Sequence, residues 1–579
     1  MTELAAALPA RARRPTGRRW LMIVPVYAWL IALILVPNLF MLVASFWRSD
    51  GGTIVHDWTL ANYAKVATSP TYQLLLLRTM LTALVAALLA AAIAYAMAYF
   101  ITRNLRRHKL TAVLLVAIPL WVSLLVRVFA WRIILGENGI LNSFLVRSGL
   151  LDAPSPVFLY TRFTVILTLT YVCIPFVFVT SYTALERIPR SLIEASYDSG
   201  ASPWRTFRNV VWPLSRPGAA IGFALAFLVA VGDYVTPSMV GGLDGTMIGM
   251  VIASQFGLVG NWPLGAAISV TLMLAVTIVL LVVARLARAE GVLDSAEATL
   301  NAETAVSWGR GPWHRIRRAL AWTAFLLPYA LLYLPLVIIA LFSFNASTVQ
   351  ALPFAGFTGK WYVALLGDHA TFAALQRTWL VGLSAVLVSA VVGTAFALVF
   401  HYLVVPGRAL LQGAITVPVA LPGVVLGVAL AIGFRSFGIP PGLLRLCIGH
   451  ATFVMPVVML VVLARLQRLD PSYAQASMDL GADRRRTFLH VIFPLIRSAL
   501  LGGALLGFTL SVDEVIVTLF LTGVQPTLPI HIWNQMRFGF TPSINAVFTC
   551  IGLLSLVVIL AATRILRADL GQRGRAGAG

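Results

Sequence analysis

Hydrophobic residues fall along this chain in runs of about twenty, the length a helix needs to cross a bilayer core. Six runs lie near residues 20–46, 72–101, 110–131, 158–184, 218–242 and 264–287. Six more lie near 319–343, 376–404, 409–434, 446–464, 499–522 and 543–563. The pattern predicts an all-α integral membrane protein with 12 transmembrane helices. Most connections are short, so the longer ones stand out: 47–70, 132–157, 186–217, 288–318 and 465–498.

Composition agrees with that reading and excludes an ordinary soluble domain. Of 579 residues 59% are hydrophobic and 11% charged, with a mean hydropathy of +0.89, whereas about a quarter of a soluble chain is charged. The net charge of +22 would suggest nucleic acid if it were spread over a soluble surface. Instead it flanks the apolar runs. Arg11, Arg13, Arg14, Arg18 and Arg19 precede the first, Arg103, Arg106, Arg107 and Lys109 follow the second, and further clusters occupy 186–217, 285–318, 465–497 and the tail. The positive-inside rule then puts both termini in the cytoplasm, and no nucleic-acid partner is expected. The first run exceeds the apolar core of a signal peptide, so it is expected to be retained. Cys173, Cys447 and Cys550 sit within apolar runs without metal-ligand spacing and read as packing residues.

The two sets of runs repeat. Arg78-Thr79 matches Arg377-Thr378 and Pro119 matches Pro418 at an offset of 299, while Gly200 matches Gly481, Phe207 matches Phe488 and Pro213 matches Pro494 at 281. An even number of spans per half makes the repeat parallel, about an axis along the membrane normal that encloses one pathway. The expected organisation is a basic cytoplasmic N-terminus (1–19), a first six-helix domain (20–287), a cytoplasmic linker (288–318), a second six-helix domain (319–566) and a cytoplasmic tail (567–579). The linker ends in a basic amphipathic patch, Trp308 to Arg318, suited to a membrane surface.

Between the fourth and fifth spans each half carries a cytoplasmic segment of matching pattern. The first contains Ser191, Glu194, Ala195, Asp198, Gly200, Ser202, Phe207 and Pro213; the second contains Ser472, Gln475, Ala476, Asp479, Gly481, Asp483, Phe488 and Pro494. Each spells two short helices with a glycine break. Ser191 with Glu194 and Ser472 with Gln475 have capping-box spacing. Gly200 and Gly481 suit a left-handed C-terminal residue, Ser202 and Asp483 start the next helix, and Pro213 and Pro494 are expected to stop it.

The spacing Glu194-Ala195-Ser196-x3-Gly200-x9-Val210-x-Trp212-Pro213 resembles the coupling-loop signature E-A-A-x3-G-x9-I-x-L-P of permease subunits of bacterial ABC importers. The second copy has Gln475 in place of Glu, and both have Ser in place of the second Ala. The resemblance extends over most of the chain, to the two spermidine/putrescine-type permease subunits joined end to end. Val126-Arg127 to Trp131, Gly136 to Asn142 and Gly232-Asp233-Tyr234 to Pro237 resemble one subunit; Phe342 to Asn345, Phe357 to Tyr362 and Ser511-Val-Asp513-Glu514 resemble the other. It implies a type I ABC importer (MetI-like) permease fold in the bacterial inner membrane. It also implies two cytoplasmic ATPase subunits that hold ATP and magnesium, a periplasmic solute-binding protein, and no cofactor on this chain. Relatives of that family handle polyamines, ferric iron, thiamine, phosphonates or opines.

Asp233 and Glu514 occupy equivalent places in the fifth spans, ~22 Å from the cytoplasmic end. Intramembrane carboxylates are costly and usually face an aqueous pathway. With Tyr234 and Asp513 they are candidates for passing a cationic amine; the alternatives are a structural ion pair with Arg78, Arg127, Arg377 or Arg435, or a position at the outer surface. The eight histidines, His450 among them, form no metal-ligand cluster and read as interfacial. Gly359-Lys360 lacks the first glycine of a phosphate loop, so ATP hydrolysis is expected in a separate chain and no catalytic residue is assigned. A twelve-span secondary transporter would share the symmetry without the paired loops, and a membrane-embedded enzyme would need an acid, base or nucleophile cluster that the sequence lacks.

Overall fold

The computed structural model describes residues 17–51, 53–105, 108–287, 312–348, 350, 352–403, 407–538 and 542–553. Among them nine helices are long and apolar enough to cross a membrane: Val24–Ala44, Pro70–Asn104, Arg162–Glu186, Pro203–Gly232, Trp262–Ala287, Phe325–Phe342, His369–Tyr402, Leu443–Leu466 and Arg484–Val512. Two more apolar pairs, Lys109–Leu120 with Leu124–Arg147 and Leu411–Pro418 with Gly423–Ser436, bend by 89° and 98°. The expected run 543–563 opens as the apolar helix Ser543–Leu553, and its remainder lies outside the described residues, as do 288–311 of the linker and the tail. The fold is therefore helical and repeated, with one small hairpin, Arg48–Asp50 against Thr53–Val55, among the described residues.

Prolines decide where the third spans bend. In the first half the chain tightens over Ile118–Trp121, turns extended at Val122 and restarts at Leu124. In the second, Leu421 is extended and Pro422 precedes the helix Gly423–Ser436. A proline lacks the N–H that would continue the ladder, and its ring crowds the preceding turn.

The fifth spans differ from the expected 218–242 and 499–522. They begin earlier, at Pro203 and Arg484, and end earlier, at Gly232 and Val512. Pro213 and Pro494 do not stop the helix. Each sits in the first turn after a π-helical turn, Phe207–Val211 or Phe488–Ile492, where the Trp212 and Phe493 N–H groups reach back five residues to the Phe207 and Phe488 carbonyls. The wider turn makes room for the proline ring, so the rod continues.

Packing divides the chain into two compact units, each drawing on both halves. One takes in the described residues of Met1–Ala67, Ile252–Thr271 and His369–Asn534. Here His369–Tyr402, Leu443–Leu466 and Phe493–Val512 enclose a core that includes Phe396, Phe400, Val454, Met455 and Met459. Against it lies the opening span of the first half: Phe40 meets Phe437 edge-on at 5.9 Å, and Pro37 covers Gly433. The other unit takes in the described residues of Thr68–Val251, Leu272–Asp368 and Gln535–Gly579. There Pro70–Asn104, Arg162–Glu186 and Trp212–Gly232 pack together. The opening span of the second half joins them, with Phe325 stacked on Phe100 at 4.4 Å and the Tyr329 hydroxyl donating to the Ala112 carbonyl at 2.9 Å. The opening spans are thus exchanged between the halves.

In both units the fifth span approaches the fourth through a Gly-x3-Gly face. A Cβ on Gly222 would lie 2.9 Å from Val177 Cα, and one on Gly507 would lie 2.5 Å from Val454 Cγ1. Small residues permit such close helix contact within a bilayer. Replacing Gly222 with Leu should therefore overpack the contact, by about 1–3 kcal/mol or more. In a detergent melting assay Gly222→Leu is expected to lower Tm clearly, whereas Gly502→Leu, where a Cβ would meet nothing within 4 Å, should melt as the unmodified protein does.

Candidate functional site

The two matched segments have the same construction. In the first, helix Arg190–Asp198 ends at Gly200, whose φ is +77°, and a second helix starts at Pro203. In the second, helix Ser472–Asp479 ends at Gly481, φ +85°, and the next starts at Arg484. The turns close identically: the Gly200 N–H bonds the Tyr197 carbonyl and the Ala201 N–H the Ser196 carbonyl, as Gly481 does with Met478 and Ala482 with Ser477. This double closure of the last helical carbonyls needs a left-handed residue. Ser202 then caps through Arg205 N at 3.3 Å and Asp483 through Arg486 N at 2.7 Å, as the sequence indicates.

The capping boxes do not form. Ser191 lies inside its helix, which starts after Pro189 without a side-chain cap, and Ser472 is itself the first helical residue. The second helix is capped from outside that span, by Asp470, which accepts from Ser472 N at 2.9 Å. Proline after Asp470 is pre-set for a first turn, which places the cap one residue before it. The Ser472 hydrogen bonds hold the Asp470 carboxyl below the usual carboxylate range. The charged cap is therefore complete above that range and is lost only as pH falls through the lowered value.

A further link was not legible in the motif. Ser196 Oγ lies 3.0 Å from Thr206 Oγ1, and Ser477 Oγ 3.1 Å from Thr487 Oγ1. The serines stand where the family signature has its second Ala, and each clasps the first short helix to the second. Only the recurrence of Ser and Thr ten residues apart in both copies could have signalled it.

Each segment rests on its own unit through its aromatic residue. Phe207 stacks on Trp204 at 5.5 Å and takes Tyr95 and Tyr99 edge-on at 6.3 and 5.6 Å, while the Tyr95 hydroxyl pairs with Ser215 Oγ at 2.6 Å. Phe488 packs on the hydrophobic core of its unit and lies 6.1 Å from Phe493. Pro213 is half-buried and Pro494 exposed. Glu194 is half-buried, whereas Ala195, Asp198, Gln475, Ala476 and Asp479 are exposed. Large apolar side chains are exposed beside them: Trp204, 67% accessible, with Leu192 and Tyr197 in the first segment, and Tyr473, Met478 and Leu480 in the second.

The intramembrane carboxylates sit at breaks, where the fifth span stops. Asp233 is 1% accessible. Its Oδ1 accepts from Val235 N at 2.7 Å and Thr236 N at 3.1 Å, and its Oδ2 accepts from the Thr236 hydroxyl. It caps the turn that follows. Asp233 has no ion-pair partner within 4.0 Å among the described residues; Arg127, itself buried, attracts it from farther away. Glu514 repeats the cap, accepting from Val517 N at 2.8 Å, but it and Asp513 are only half-buried. Tyr234 is buried. Of the other arginines named as partners, Arg377 donates to the Pro526 carbonyl at 2.9 Å and Arg435 lies over the Trp262 ring at 4.6 Å.

The repeated Arg-Thr pair also proves to be capping chemistry. Thr79 Oγ1 accepts from Ile248 N at 2.8 Å and Thr378 Oγ1 from Leu528 N at 2.7 Å, so the second span of each half caps the helix that follows the broken fifth. His450 is not interfacial. It is 1% accessible inside Leu443–Leu466, with Nδ1 2.7 Å from Ser511 Oγ and Nε2 2.9 Å from Thr518 Oγ1.

A duplicated helical membrane fold with a matched short-helix segment in each half is that of an ABC importer permease. The chain belongs to the family described as binding-protein-dependent transport system inner membrane component, whose model matches residues 110–289 and again 389–569. It is 34% identical over 268 residues to the spermidine/putrescine transport system permease protein PotB of Escherichia coli K12, covering 46% of this chain and 97% of that one. It is 32% identical over 240 residues to PotC of the same system and organism, covering 41% and 90%. A bacterial ABC transporter involved in import of the acidic polysaccharide alginate is similar at 14% identity and a TM-score of 0.37, over 45% of this chain and 99% of that one.

Because a Cβ on Gly200 or Gly481 would meet nothing within 4 Å, substitution there strains the backbone alone, by about 1–2 kcal/mol. Gly200→Val and Gly481→Val should accumulate in the membrane at normal levels. Solute uptake is expected to fall severalfold, most in the double variant; unchanged uptake in that variant would make the turns ordinary connections.

Proposed function

We propose that this permease carries small organic cations of the polyamine class, such as spermidine or putrescine, inward across the inner membrane. Two ATPase subunits dock from the cytoplasm on the segments around Gly200 and Gly481 and bring ATP and magnesium, while this chain holds no cofactor. A periplasmic binding protein delivers the solute. The observation that carries this reading is the pair of segments, alike in turn, cap and hydroxyl clasp, each leaving apolar side chains uncovered. Such a surface beside a membrane asks for a protein partner. The polyamine class is supported by the two matches to spermidine/putrescine permeases. The broken fifth spans, with Asp233, Tyr234, Asp513 and Glu514, are the candidate stretch of the pathway.

The orientation follows from the basic residues of the segments, Arg187, Arg190, Arg205 and Arg208 in one and Arg465, Arg468 and Arg484 to Arg486 in the other. Cysteines at Ser202 and Asp483 should react with a membrane-impermeant maleimide only in inverted vesicles, and labelling in intact cells would overturn it. For the solute, cells lacking polyamine uptake are supplied with this chain, its ATPase and its binding protein. They should take up radiolabelled spermidine in an ATP-dependent manner, competed by unlabelled putrescine. Uptake of neither amine would refute the polyamine reading.

A further inference from the structure

In the unit that holds Pro70–Asn104, the ends of three spans line an open pocket of about 340 Å³. Phe129, Arg132 and Ile133 come from the helix Leu124–Leu135, Leu159 from the turn before Arg162–Glu186, and Thr348 and Gln350 from the segment after Pro312–Phe342. The pocket therefore lies where spans leave the hydrocarbon, at the level of lipid headgroups. Its walls are mostly apolar, yet two hydrogen-bond donors are left over in it. The Arg132 guanidinium makes no ion pair among the described residues. Gln350 gives its amide oxygen to Asn545 Nδ2–H at 2.6 Å, and its own amide nitrogen is buried with no partner among the described residues.

Tyr160, beside this pocket, is strained. Among the described residues it is the one non-glycine with a positive φ, +62°. A bulky side chain stays in the left-handed region only where its surroundings fix it there, and such strain gathers at ligand clamps. Gly242 backs the residue so closely that a Cβ there would lie 2.7 Å from the Tyr160 carbonyl oxygen. Asp244 then holds Arg162 through its guanidinium at 2.9 Å and its backbone N–H at 3.2 Å. The corner so fixed sets the Tyr160 ring 6.0 Å from the Arg132 guanidinium carbon, where an aromatic face attracts and orients a cation.

We propose that this pocket binds an anionic phospholipid, with Arg132 and the Gln350 amide on its phosphate and an acyl chain along Phe129, Ile133 and Leu159. A guanidinium offers a phosphate two parallel N–H donors, and a basic pocket between membrane helices suits an anionic headgroup. Free phosphate would meet the same donors but leave the apolar wall uncovered. Phe163 and Leu341, on two of the same span ends, are exposed, as side chains facing hydrocarbon are. The lipid comes from the outer leaflet on the orientation proposed above, whereas the chemistry of the pocket depends neither on that orientation nor on the solute.

The test uses the full chain in phosphatidylcholine nanodiscs that hold a small fraction of phosphatidylglycerol with a diazirine on its acyl chain. Illumination followed by peptide mapping should place the strongest adducts on residues 129–133 and 157–163. Arg132→Gln should cut that labelling at least about tenfold, because charge-assisted hydrogen bonds to phosphate are the strong ones, and should leave labelling of the other spans unchanged. Arg132→Lys, which keeps the charge and loses the fork, should fall between. Tyr160→Asn keeps the left-handed backbone without the ring; it should lower labelling severalfold, and it supplies the measurement if Arg132→Gln does not accumulate. Unchanged labelling in Arg132→Gln and Tyr160→Asn, or equal labelling by a diazirine phosphatidylcholine, would overturn the proposal. Full competition by glycerol phosphate would make the pocket a site for free phosphate and overturn the lipid. Unchanged labelling in Arg132→Gln with weakened docking of the periplasmic binding protein would give the cation to an acidic side chain of that partner instead.

Discussion

The bilayer interior offers no water to a backbone N–H or C=O, so a helix that breaks there must find its partners within the protein. An unsatisfied buried group costs about 1–3 kcal/mol in a soluble core, and more in hydrocarbon. This chain breaks its third and fifth spans in both halves, and every fifth-span break is met by a short acceptor at a fixed offset. Asp233 and Glu514 cap the turn that follows, and Thr79 and Thr378 cap the next helix from a different span. A carboxylate inside an apolar run then has a first explanation that is neither pathway nor ion pair. It replaces the hydrogen bonds the break removes, and whether it also meets solute depends on what remains exposed.

The two halves share the breaks and the glycine turns while the supports around them differ. The first segment is held by a cluster of aromatic rings about Phe207, the second by Phe488 packing on the buried core of its unit. Glu194 faces Gln475 in the alignment, and the hydrogen bonds of His450 have no counterpart. Joining two such halves in one chain fixes their stoichiometry and raises their effective concentration to that of an intramolecular contact. Exchange of the opening spans adds a packing interface to the same end: Phe325 on Phe100 and Phe40 on Phe437 tie residues from opposite halves together within each unit.

Periodicity made the helices, the repeat and the glycine turns legible, since those depend on residue type at short range. What escaped depended on neighbours far along the chain. Pro213 and Pro494 read as stops because a proline ends most helices, but a π-helical turn one step earlier absorbs the ring. Ser191 and Ser472 carried capping-box spacing, yet Pro189 and Asp470 start those helices first. The breaks at Asp233 and Asp513 fall within residues apolar enough to continue a span, and only the cap betrays them. His450 reads as interfacial because a lone polar residue in an apolar run gives no sign of partners 61 and 68 positions away. The exchange of opening spans leaves no trace in hydropathy at all.

Continuity of the rod from segment to break supplies the last step. Pro203–Gly232 and Arg484–Val512 run as single helical bodies from the exposed turn to the capped break. At 1.5 Å per residue each is about 40–45 Å long, so a tilt of about 5° imposed at the segment moves the far end by roughly 4 Å. That is more than the length of a hydrogen bond. A cap held by a few bonds would register a movement of that size, and at the near end the hydroxyl clasps join the segment to the rod. Two ends of one helix, joined by an accommodated proline, place the glycine turn and the intramembrane carboxylate on a single helical body in each half.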